Sequence, residues 1–105
     1  MTNIEVICVS DGDALTFAVT LRDAKSETRH RVTLSRRDAL RLAPEADPAA
    51  LIDAAFRFLL DREPKEAILA SFDVSVIARY FPAFGKELRN YLTQGTPPAG
   101  ALQSE

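Results

Sequence analysis

The sequence predicts an α+β domain: a three-stranded antiparallel β-meander at the N-terminus, followed by four to five short helices packed on one face of it. Three observations carry this reading. Residues 15–21 and 28–34 alternate apolar and polar side chains with period two, the mark of strands with one covered face. After Ser35 the apolar spacing changes to that of helices. Turn or capping residues stand at each change of direction.

The first strand is residues 4–9, IEVICV, β-branched and apolar. Asp11-Gly12-Asp13 follows, with the glycine expected to supply the unusual backbone angles of a tight hairpin. In the second strand Leu15, Phe17, Val19 and Leu21 share one face, and Thr16, Ala18 and Thr20 the other. Residues 23–27, DAKSE, form a polar turn. The third strand places His30, Val32 and Leu34 inward and Arg29, Arg31 and Thr33 outward.

Ser35 opens the helical part as a cap, with Asp38 three residues on. The first helix, 36–42, ends before Pro44. Asp47-Pro48 pairs a capping carboxylate with a proline at the first helical position, and predicts a helix over 48–62. Its stripe of Leu51, Ile52, Ala55, Phe56, Phe58 and Leu59 makes it the central helix on the sheet, while Asp53, Arg57 and Asp61 are spaced to pair on the far side. Pro64 starts a short helix over 64–71, and Asp73 caps another over 74–80. In that helix Val74, Ile77, Ala78 and Phe81 have core spacing, and Pro82 ends it. A last helix, 83–92, offers Phe84, Leu88, Tyr91 and Leu92 to the core. Residues 1–92 are thus one domain. Residues 93–105, rich in Gly, Pro, Ser, Gln and Thr without a period, are expected to be a disordered tail.

The 105 residues suit one domain, with 47% apolar and 27% charged side chains. A net charge of −2 argues against a surface coated in positive charge. The lone Cys8 cannot form an internal disulfide, the N-terminus lacks a signal-peptide pattern, and no apolar run reaches the ~20 residues that span a bilayer. A cytoplasmic protein with no membrane contact is expected. His30 is the only histidine, and the glycines at 12, 85, 95 and 100 build no phosphate-cradling loop. Neither a catalytic triad nor a metal site can be assembled from this set, so no enzyme activity, metal or cofactor is expected. His30 reads as a structural strand histidine, Cys8 as a small buried filler, and Asp-Gly-Asp as a turn.

Two surfaces are candidates for binding. Residues 22–41 hold Arg22, Lys25, Arg29, Arg31, Arg36, Arg37 and Arg41 against Asp23, Glu27 and Asp38. Within this segment Arg29, Arg31, Arg36 and Arg37 are the candidate contacts to phosphates, nucleic acid or a partner's carboxylates. Residues 64–81 show the order of a helix-turn-helix, but with a turn one residue short and only Arg79 as a cation on the second helix. Val76 and Tyr80 lie beside the core stripe of that helix. With Arg79 and Phe84 they form the second candidate, an apolar and aromatic interaction surface.

The segments RFLLDREPKEAIL and FDVSVIARYFP carry a resemblance, extending over roughly residues 15–84, to a family of small bacterial proteins of unassigned activity. The resemblance implies a compact bacterial domain and no particular chemistry. The function expected from the sequence is therefore a non-catalytic protein-interaction or regulatory module, docking a protein partner or a second copy of itself. The alternative is nucleic-acid binding through the basic 29–41 segment or the helix pair at 64–81.

Overall fold

The alternating segments fold as strands with their predicted faces. The computed structural model describes residues 2–95. In it β1 (Asn3–Asp11), β2 (Ala14–Arg22) and β3 (Glu27–Ser35) form an antiparallel meander. Leu15, Phe17, Val19, Leu21, His30, Val32 and Leu34 are all buried, and their neighbours in sequence are not. The expected wet face is therefore the open face of the sheet.

The sheet has one more strand than the sequence predicts. A three-residue strand, β4 (Ser71–Asp73), pairs in parallel with β3, placing Phe72 beside Val32. The strand order is β1-β2-β3-β4, so the sheet is mixed, with β1 and β4 at its edges.

Among the described residues four α-helices lie on the inner side of the sheet: α1 (Arg36–Leu42), α2 (Pro48–Leu60), α3 (Val74–Tyr80) and α4 (Phe84–Gly95), the last packed against α2. The three caps read from the sequence are all present. Ser35 Oγ accepts from the Asp38 amide at 3.0 Å, Asp47 from Ala49 at 3.2 Å, and Asp73 from Ser75 at 3.0 Å. Central helix α2 buries Leu51, Ile52, Ala54, Ala55, Phe56, Phe58 and Leu59. Each large side chain hidden this way contributes about 1.5–3 kcal/mol. On its outer side Asp53 pairs with Arg57, but Asp61 does not: it accepts from the Tyr91 hydroxyl of α4, and Arg57 donates to the Tyr91 carbonyl.

Two other expectations need correction. Residues 64–71 are not a helix. Only Lys65–Ala67 make a 3₁₀ turn, after which Ile68 is extended and the chain runs into β4. Here pairing with β3 overrides local helix propensity. Gly12 adopts no left-handed angle, and a Cβ there would meet nothing. The hairpin is tied instead by Arg36, which donates to the carbonyls of Gly12 at 3.0 Å and Asp11 at 2.7 Å. The last helix runs three residues past its expected end, with Thr93 Oγ1 donating to the Arg89 carbonyl. The rest of the expected tail, 96–105, lies outside the described residues. Among the described residues no helix is long and apolar enough to cross a membrane.

Candidate functional site

The irregular segment between α2 and α3 is fixed to the sheet by polar bonds. Lys65, only 5% exposed, donates to Asp23 and Glu66, both at 2.7 Å. Asp23 lies in the β2–β3 turn and also accepts the amides of Lys25 and Ser26. The bond from Lys65, with those two amides, holds the Asp23 carboxyl well below the usual carboxylate range. The same ammonium lowers Glu66 and is itself raised by the two carboxylates, Asp23 foremost.

Further along, His30 is buried on β3. Its Nδ1 is 2.7 Å from the Leu69 carbonyl, and its Nε2 is 2.8 Å from Thr28 Oγ1. The ring also lies 5.6 Å from Phe56. Both nitrogens are thus engaged, Nδ1 with the segment and Nε2 within β3, as the structural reading of this histidine anticipates. The Ala70 carbonyl accepts from the Arg31 amide at 2.7 Å. Asp73 completes the series, accepting from Thr33 Oγ1 at 2.6 Å while capping α3. Burial raises the Asp73 carboxyl, but the bonds from Thr33 and Ser75 outweigh it and the net shift is downward.

This arrangement leaves an apolar groove of about 400 Å³ between the 3₁₀ turn, β4 and α3. Ile68, Phe72 and Val76 lie along it, and Leu69 and Tyr80 stand at its rim, 51% and 69% exposed. Polar bonds satisfy the backbone here while leaving Leu69 exposed and Phe72 half-buried. A larger open groove of about 730 Å³ lies between the α1–α2 connection and the end of α4, where the described residues stop.

The structure divides the predicted interaction surface. Val76 and Tyr80 line the groove and Arg79 is exposed on the same helix. Phe84 is 1% exposed and belongs to the core, its ring 5.1 Å from Phe58. It opens α4 on the side facing α2, so it is lost to any partner. Leu69 and Phe72, expected from the sequence in a helix and a turn, take its place. A parallel partner on β3 is not visible from local spacing.

The four candidate arginines are also divided. Arg36 is used by the hairpin carbonyls, and Arg29 shares Glu27 with Arg22 at 3.0 Å. That sharing, Arg29 first, lowers the Glu27 carboxyl. Arg31 and Arg37 are exposed, with no hydrogen-bond or ion-pair partner for their side chains among the described residues. The helix-turn-helix alternative loses its first helix, since residues 64–73 are a 3₁₀ turn and a strand. Cys8, on the edge strand β1, is exposed, not buried. Among the described residues no cluster of three His, Cys, Asp or Glu could hold a metal ion.

Comparison of the chain with protein-family models, with curated proteins and with solved structures finds no match.

Proposed function

We propose that this protein is a non-catalytic protein-interaction module of the bacterial cytoplasm, which holds a partner in the groove beside β4. One observation carries the reading: Leu69 and Tyr80 line an apolar trough and yet stand exposed. Exposed aromatic and aliphatic side chains around a concave floor are the usual anchors of a binding interface. The side chains best suited to chemistry are placed elsewhere. His30 has both ring nitrogens bonded, and Cys8 lies on the opposite edge strand.

The test uses the intact chain as bait in extracts of its native host. Val76→Glu and Tyr80→Glu put charge into the groove at positions that are not fully buried. Both variants should keep the wild-type circular dichroism and melting temperature, and both should lose the same specifically recovered protein. A charge on the open sheet face, Thr20→Glu, should leave recovery unchanged. Identical recovery by all four proteins would end this reading.

A further inference from the structure

The other edge of the sheet is built differently. β1 pairs with β2 alone, so its outer side presents main-chain donors and acceptors with no strand opposite among the described residues. Edge strands are normally blunted by lysine, proline or inward-facing charge. Between Ile4 and Cys8 the only charge is Glu5, and it lies on the open face. A bulge interrupts the pairing between Cys8 and Ser10, so the regular part of the edge ends at Cys8.

The core is also unfinished here. Leu21, Val19 and Phe17 on β2 are 0–1% exposed. Their partners on β1 are less covered: Ile4 and Val6 are half-buried and Cys8 is exposed. On the open face Ile7 is 55% exposed. Although α2 packs against β1, the cover is incomplete along this strand, and apolar side chains remain partly or wholly exposed at the free edge.

We propose that a second copy of this chain completes the edge, β1 pairing antiparallel with the partner's β1 about a two-fold axis at Val6. Such an axis stands perpendicular to the sheet, so both helical layers fall on the same side and the two sheets become one. The register follows from charge and from the bulge. Centring on Val6 sets Ile4 against the partner's Cys8 and Glu5 against the partner's Ile7, with no carboxylate directly opposite another. Centring on Glu5 would oppose the two Glu5 side chains. Centring on Ile7 or Cys8 would run Glu5 into the bulged segment at Val9 or against the partner's Asp11.

A second copy fits better than an unrelated strand for a further reason. Each chain has one long free edge. The opposite edge, β4, has three residues and turns directly into α3. Pairing therefore closes after two chains, as a symmetric dimer, and does not propagate. The groove beside β4 remains open at both ends of the joined sheet, so the dimer and the groove are independent proposals.

Light scattering after gel filtration of the full chain, over a dilution series, is the test. The wild type should show twice the 11.6 kDa chain mass. Ile7→Glu places a carboxylate opposite the partner's Glu5 and should halve the mass. Ile7→Lys places an ammonium there and should keep the dimer to lower concentration than wild type. Ile4→Cys, oxidised with diamide, should form a covalent dimer through the partner's Cys8. Wild type should not, because in this register the two Cys8 thiols are separated by four positions along the strands. A wild-type monomer throughout, equal behaviour of Ile7→Glu and Ile7→Lys, a dimeric Ile4→Cys variant that fails to cross-link, or ready wild-type cross-linking would each overturn the proposal. None of these results bears on the groove, which the Tyr80→Glu recovery tests separately.

Discussion

Residues 14–35 and residues 61–73 lie against the same core but are held by different forces. The first stretch is two strands in full register, whose inward side chains are buried at every second position. The second has little regular structure, and separate polar bonds place it: Lys65 to Asp23, His30 to the Leu69 carbonyl, and Thr33 to Asp73. Apolar burial is non-directional and covers the side chains that produce it. Hydrogen bonds fix a backbone without covering anything. The groove lies in the second region because such bonds position Leu69 and Phe72 without burying them.

Phe56 is where the two regions meet. Its ring is 5.6 Å from His30 and 5.9 Å from Phe72, and it is fully buried. Phe56→Ala should cost about 3–5 kcal/mol and lower both regions together in one denaturant transition. Two separated transitions would show that the regions are less coupled than shared packing requires.

His30→Ala should distinguish them. It removes both ring bonds and leaves the Leu69 carbonyl short of a partner, at about 1–3 kcal/mol. Amide exchange should accelerate through residues 65–73 and stay slow in β2. Uniform acceleration would mean that the histidine serves the whole core. A smaller, more local change is expected from Asp73→Ala, which deletes the cap of α3 and the bond from Thr33. Loss of the cap alone costs about 0.5–2 kcal/mol. Its exchange signature should be confined to β4 and the first turn of α3.

The same contrast explains what was legible in the sequence. The faces of β2 and β3, the caps at Ser35, Asp47 and Asp73, and the bounds of α1 and α3 follow from local patterns, and all are found. Each depends on residues within a few positions of one another. β4 does not: its three residues become a strand only because β3 lies beside them, some forty positions away in sequence. The bonds of Lys65 and His30 span similar separations. Half of the candidate surface, Val76 and Tyr80, was visible as residues beside a helix stripe, whereas Leu69 and Phe72 were hidden by the missing strand. Phe84 differs: its helix carries core spacing in Phe84, Leu88, Tyr91 and Leu92, and that pattern, not its nearness in sequence to Val76 and Tyr80, decides its place against α2.

The bond between Lys65 and Asp23 offers the finest test of the contrast, because its contribution depends on pH and apolar burial does not. The folded-state carboxyl of Asp23 lies below its ordinary value of 3.8, so its stabilisation is present above that value and is lost as pH falls toward the folded one. Glu66 is lowered from 4.5 and acts in the same direction. Lys65, raised from 10.5, contributes below that value and loses its effect only as pH rises past it, so it does not enter the acid range. Asp23→Asn should therefore be less stable than wild type at neutral pH, and the two denaturation curves should converge as the pH is brought down through about 4 to 2. The neutral-pH difference should be the smallest of the four, since Lys65 keeps Glu66 and the Asp23 carboxylate is partly exposed. A constant offset from neutral to acid would assign the role of Asp23 to its uncharged bonds in the β2–β3 turn, and the segment beyond α2 would then be held by geometry more than by charge.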